Sequence, residues 1–250
     1  MGIGKAIVYL EVILTLILGS QSSVLTCEGQ TECCLVMEGE SHLALELSSP
    51  GGHSVLVMGS GRCTLRMLAI GGGGHGNGHS GGGSGYLQYK TLSLEDIVII
   101  DAWVGAGHEA STVMFNLDPD TNVTAERGYE ALYGDHHNDG GDGYSGGASA
   151  GDWFGGSDGG WGQGSSGGRG TGEDIRDYIF NTWTLSPGAG GEFYIGTGTL
   201  FYGGGGGGVM VSGVGPEASQ YHGQGYGGGG NSHEAREGLQ GVILLEVVSG

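Results

Sequence analysis

Apolar residues are arranged along this chain in short runs separated by glycine. Alternation of apolar and polar side chains is clearest in Leu43-Ala44-Leu45-Glu46-Leu47 and in Tyr178-Ile179-Phe180-Asn181-Thr182-Trp183. A period of two places alternate side chains on opposite faces of an extended backbone. Segments rich in β-branched and aromatic residues and bounded by glycine, serine or asparagine predict strands over 43–47, 54–58, 63–70, 86–92, 96–104, 112–115, 178–185, 192–202 and 241–248. Ile97–Ile100 and Val242–Leu245 are continuous apolar runs, the pattern of strands buried on both faces. After the first 22 residues no stretch holds a 3.6-residue period with caps for three turns. The pattern predicts a mainly β protein with little α-helix.

The N-terminus follows a different pattern. Lys5 is followed by an almost wholly apolar run from Ala6 to Leu18, then by Gly19, Ser20, Ser22 and Ser23. A short basic region, an apolar core and a small-residue exit have the form of a secretory signal peptide. The apolar run spans about 13 residues, whereas a membrane-crossing helix needs about 20. Residues 1–22 are therefore expected to be removed on export, and no membrane span is expected. The rest divides into a disulfide-linked β-rich part over 23–63 and a glycine-rich β domain over 64–250, with a flexible acidic insertion at about 117–175.

Export changes the meaning of the cysteines. All four, Cys27, Cys33, Cys34 and Cys63, lie in the first 63 residues. An even count in an exported chain predicts disulfides. Neighbouring Cys33 and Cys34 are poorly placed to pair with each other. Two pairings remain: Cys27–Cys33 with Cys34–Cys63, or Cys27–Cys34 with Cys33–Cys63. The chain carries one N-glycosylation sequon, Asn122-Val123-Thr124, preceded by Pro119 and Asp120 as in an exposed loop.

The formal charge of −19 is unchanged by removal of the leader, because Lys5 and Glu11 leave together. A surface this acidic repels nucleic acid and anionic lipid. It suits cations, mineral or basic partners, and it also keeps a β-rich protein from associating with itself.

Glycine decides the architecture. The chain has 61 glycines and only four prolines, with no strict three-residue repeat, which excludes collagen. Pure runs occur at 71–74, 81–83, 203–208 and 227–230. Ordering a glycine costs about 0.5–1 kcal/mol more than ordering an alanine. Two outcomes are physically coherent. The runs are disordered loops, or they are extended three-residue-per-turn helices lying side by side and bonding backbone to backbone.

A resemblance bears on that choice. A strand running straight into glycines (Leu65 to Gly74), then Gly85-Tyr86, Thr91-Leu92, Val104-Gly105-Ala106-Gly107, Phe115, the run 203–208, Tyr226 with 227–230, and the closing Gly241-Val242-Ile243 appear in this order. Together they resemble the glycine-rich domain of phage tail adhesins and bacterial surface proteins, and the extracellular glycine-rich region of anaplastic lymphoma kinase family receptors. The resemblance covers about residues 63–250. It implies a single compact domain in which polyglycine helices pack within β-structure and present a recognition surface. The chain departs from those receptors in having no kinase part, and it inserts the region from Leu117 to Ile175.

Candidate chemistry is sparse. Gly78-His79-Ser80-Gly81-Gly82 and Gly143-Tyr144-Ser145-Gly146-Gly147 fit the G-x-S-x-G pattern, but a nucleophile elbow needs a strand before it and a helix after it. Here glycine lies on both sides, so no catalytic residue and no enzyme is expected. Asp135, Asp139 and Asp142, with His136 and His137 among them, offer hard ligands to calcium. Gly146 stands where an EF-hand needs its bidentate glutamate, so calcium binding in the millimolar range at most is expected, and no other cofactor. These readings converge on a secreted glycine-rich structural protein of an extracellular matrix, mucus, cuticle or shell, whose partners are other matrix or surface proteins, or mineral. The alternatives are an extracellular recognition or adhesion module presenting loops on a polyglycine scaffold, and an acidic calcium- or mineral-associated matrix protein.

Overall fold

A computed structural model describes residues 33–59, 63–77, 80–94, 97–115, 119–130, 132–133, 138–139, 178–188, 194–195, 201–202, 205–217, 223–230 and 237–249. The strands are β1 (Cys33–Met37), β2 (Glu40–His42), β3 (Ala44–Leu47), β4 (Gly51–Gly59), β5 (Cys63–Ile70), β6 (Leu87–Leu94), β7 (Val98–Val104) and β8 (Ser111–Phe115). A 3-10 turn at Pro119–Thr121 follows. The remaining strands are β9 (Val123–Ala125), β10 (Leu132–Tyr133), β11 (Asn138–Asp139), β12 (Leu185–Pro187), β13 (Tyr194–Ile195), β14 (Phe201–Tyr202), β15 (Val209–Val211) and β16 (Val242–Ser249). Among the described residues the protein is all β, and no helix is long and apolar enough to cross a membrane.

Two antiparallel sheets carry the architecture. One has six strands in the order β2-β1-β4-β7-β8-β9, the other four in the order β3-β16-β5-β6. Their facing sides interdigitate. Leu35, Val55, Val57, Ile100, Ala102, Val113, Phe115 and Val123 from the first sheet meet Leu45, Leu47, Leu65, Met67, Ala69, Ile243 and Leu245 from the second in one buried core. Burying apolar surface in this way is the main driving force for the fold. Segments before Cys63 are woven through both sheets: β4 pairs with β7, and β3 pairs with β16.

The second sheet is covered on its other face as well. Leu68, Ile70, Leu87, Val242 and Leu244 point away from the first core and pack against Phe180, Val209, Val211 and Tyr226. This third layer explains the continuous apolar run at Val242–Leu245, which is buried at every position. The similar run at Ile97–Ile100 behaves differently. Burial alternates along β7, so that strand is covered on one face only.

At one end of the sandwich, β5 and β7 run directly into glycine, β9 reaches Gly128 after Glu126 and Arg127, and β6 and β16 emerge from glycine segments. The glycine backbones there are buried and bonded to one another. In the run after β5, Gly71 N–H donates to Tyr86 and Gly74 N–H to Gly83, both on the segment before β6. Gly72 N–H donates to Glu109 and Gly73 N–H to Leu239. The next segment repeats the arrangement: Gly82 and Gly85 donate to Gly230 and Gly227, while Gly83 and Tyr86 donate to Tyr129 and Glu126. Gly206 donates to Gly82, and Gly229 to Gly206. Residues three apart therefore address the same neighbour, and each segment has several neighbours. The described glycines are therefore buried and hydrogen-bonded, which is not the disordered-loop outcome.

A few strand expectations need correction. Residues 178–184 alternate in sequence but form no ladder, for a reason given below. The segment 192–202 is not one strand. Its described residues form the short pair β13–β14, with Tyr194 opposite Tyr202. The strands β1, β2 and β9 were not expected. Cys33-Cys34 and the sequon disguised the first and last, and β2 (Glu40-Ser41-His42) is polar and lies at a sheet edge.

Candidate functional site

Cys33 and Cys63 are disulfide-bonded, which selects one of the two pairings open in the sequence. Cys34 is also disulfide-bonded; its partner lies outside the described residues, as does Cys27. The Cys33–Cys63 bond ties the start of β1 to the start of β5, and so joins the two sheets at the edge of the core. Asn122 and Thr124 are both exposed at the edge strand β9. The Asn122 Oδ1 accepts the Phe115 N–H at 2.9 Å, a bond that uses the amide oxygen and not the nitrogen a glycan would take.

The proposed calcium loop is not assembled by the described structure. Asp135 and Asp142 lie outside the described residues, and Asp139 is described only as backbone in β11, opposite Leu132. Among the described residues no group of three or more histidine, cysteine or acidic side chains is placed to hold a metal. Ser80 of the first G-x-S-x-G match is fully buried in a turn, its N–H bonded to Asn77 Oδ1 and its carbonyl accepting from Asn77 N–H. The described residues on either side, 71–77 and 81–86, are neither the strand nor the helix that a nucleophile elbow needs. Ser145 lies outside the described residues.

Three other constellations are built by the fold. The first surrounds Glu246, a carboxylate in β16 that is almost fully buried. It accepts the backbone N–H of Asn181 at 2.9 and 3.0 Å and that of Thr182 at 2.8 Å, and it pairs with Arg66 Nη1 at 3.1 Å. Arg66 also reaches Asn181 Oδ1. Burial alone would push the Glu246 carboxyl up. The donors from Asn181, Thr182 and Arg66 override it, and its pKa lies below the ordinary carboxylate value. This is why 178–184 forms no ladder: its amides bond to a side chain instead of a neighbouring strand. Around the clamp, Tyr89 stacks on Tyr178 with centroids 4.9 Å apart, and Phe180 meets Tyr89 and Trp183 edge to face.

The second is a buried tyrosine. Tyr226 donates its hydroxyl to Glu46 Oε1 at 2.7 Å. Burial first, then this hydrogen bond and the negative charge of Glu46, raise the Tyr226 pKa above its usual value.

The third lies where three glycine segments meet. His75 follows the run 71–74, and His108 stands in the turn between β7 and β8 with left-handed backbone (φ 59°). His75 Nε2 and His108 Nδ1 are 2.8 Å apart, with ring centroids 4.5 Å apart. His108 N–H donates to the Gly73 carbonyl, and its own carbonyl accepts from Arg127 Nη1. Arg127 in turn faces Glu130. Both histidines are half-buried. Sequence reading missed this pair, since its members are 33 residues apart and carry no spacing motif.

Comparison with protein-family models, with curated proteins and with solved structures finds no match. What this chain does must therefore be argued from its own geometry.

Proposed function

We propose that this chain is a secreted, non-enzymatic recognition or adhesion module, in which extended polyglycine helices form a rigid scaffold that presents loops to an extracellular partner. The observation that carries this reading is where the glycines go. The described runs lie inside the protein, with hydrogen-bond directions that repeat every three residues, the period of an extended three-fold helix. They form one end of a discrete three-layer core instead of a repeated outer surface through which copies could polymerise. That favours a folded module over the bulk matrix component that composition suggests.

The region from Leu117 to Ile175 contributes β9 to the first sheet, and the residues that follow it hold the Glu246 clamp. A segment fixed so firmly at its return suits a loop that must be displayed in one place. The acidic surface selects basic or cationic partners by charge. The signal-peptide pattern over 1–22 and the sequon at the exposed Asn122 support a place outside the cell.

Export and the form of the native protein test this reading. Expressed with its own leader in eukaryotic cells, the chain is expected in the medium, beginning between Ser20 and Cys27, as a soluble monodisperse species. Native protein stained in tissue should lie at cell or matrix surfaces and be extracted by salt. A product that retains Met1, or native material that resists chaotropes as a cross-linked network, would contradict it; the second result would restore the matrix reading.

A further inference from the structure

The pair formed by His75 and His108 is used by none of the foregoing. Two imidazole nitrogens 2.8 Å apart share one hydrogen, one ring donating and the other accepting. Two imidazoles in contact can instead turn their lone pairs onto one metal ion, at metal–nitrogen distances of about 2.0 Å. Among first-row divalent metals that imidazole suits, copper leads the affinity order.

We propose that His75 and His108 form a cis two-imidazole site for a divalent copper ion, with the other equatorial positions taken by water. Imidazole ligates a metal as the neutral ring. The shared hydrogen moves to the far nitrogen of the ring that carries it, so that His75 Nε2 and His108 Nδ1 each present a lone pair. A swing of each ring about its Cβ–Cγ bond turns the two lone pairs from each other towards a common point beside them. The backbone beneath is held by His108 N–H on Gly73 and by Gly72 N–H on Glu109, so the two Cα positions are fixed before the ion arrives. Arg127, which donates to the His108 carbonyl, is a cation beside the pair, and its charge is countered by Glu130. The chain as a whole, at −19, draws cations in.

The test is titration of the mature protein with copper(II) chloride against glycine as a competing chelator, followed by electron paramagnetic resonance. One ion per chain is expected, with hyperfine splitting from two equatorial nitrogens and zinc at least tenfold weaker. His75→Ala and His108→Ala should each weaken binding at least tenfold, while His136→Ala with His137→Ala should leave this site intact. Copper binding that survives loss of both His75 and His108 would overturn the site, as would a nitrogen count below two or zinc binding as tightly as copper. Should the variants fail to fold, substoichiometric copper added to wild-type protein must broaden the ring-proton resonances of His75 and His108 ahead of the other histidines. Broadening elsewhere first would sink the proposal equally.

Discussion

Glu246 is the residue on which the third layer depends most. A buried carboxylate is tolerated only when its acceptor capacity is filled, and here two backbone amides and a guanidinium fill it. Glu246→Ala leaves Arg66 and those amides unsatisfied, and the expected loss is about 3–5 kcal/mol in denaturant unfolding. The pH dependence follows from the lowered pKa. A carboxyl more acidic in the folded state than in the unfolded one contributes stability above the unfolded value of about 4.3, and that stability is lost as pH falls through the folded value. Melting temperature measured from pH 6 down to pH 2 should therefore fall more steeply for wild type than for Glu246→Gln. Parallel curves would mean that the clamp contributes nothing to folding. Tyr226 acts at the other end of the scale: its raised pKa gives stability that is present below about pH 10 and lost as pH rises beyond it. Nothing in the sequence marked Glu246 as buried, because a single acidic residue near the end of an apolar strand reads as solvent-facing until the layer above it is known.

At the scale of elements, the strands with alternating or β-branched patterns were the legible ones. The structure places β5 over Cys63–Ile70 as expected, and β16 within one residue of expectation. Short strands without internal pattern, such as β2 and β9, were not legible, because pairing and not propensity makes them. The glycine segments are the opposite case: composition marked them, but only the tertiary contacts say that they are ordered. Those contacts make substitution costly. A Cβ on Gly72 would collide with the Ala106 carbonyl oxygen, and one on Gly205 with that of Gly229. Each collision is with a carbonyl that already accepts a backbone hydrogen bond. Gly72→Ala and Gly205→Ala are each expected to destabilise by about 1–3 kcal/mol, as overpacking does in a side-chain core. Gly213 offers the comparison: it has left-handed backbone (φ +74°) with open space around it. Gly213→Asn, a residue that tolerates that conformation, should cost less than about 1 kcal/mol by thermal unfolding. Similar effects at all three sites would mean that the glycine contacts carry no packing constraint. The disulfide belongs to this scale too. Closing a separation of 30 residues, the Cys33–Cys63 bond is expected to contribute about 3–4 kcal/mol, read from the unfolding of Cys33→Ala with Cys63→Ala.

At the scale of the whole molecule, the described residues form two kinds of interior. One is a sandwich of side chains between and above two sheets. The other is a lattice of backbone, in which glycine removes the side chains so that amides and carbonyls of many segments can reach each other. Ser111 joins them: its buried hydroxyl donates to the Ile70 carbonyl at 2.7 Å and accepts from Gly105 N–H, at the point where β5 passes into glycine. Native-state hydrogen exchange, resolved by nuclear magnetic resonance, tests the existence of the second interior most directly. If the lattice is a scaffold, the amides of Gly71, Gly73, Gly74, Gly82, Gly83, Gly85, Gly206 and Gly229 exchange as slowly as those of β5 and β16, with opening free energies close to that of global unfolding. If those glycine amides exchange at the rates of an unstructured chain while the strands stay protected, the runs are linkers, and the scaffold reading fails.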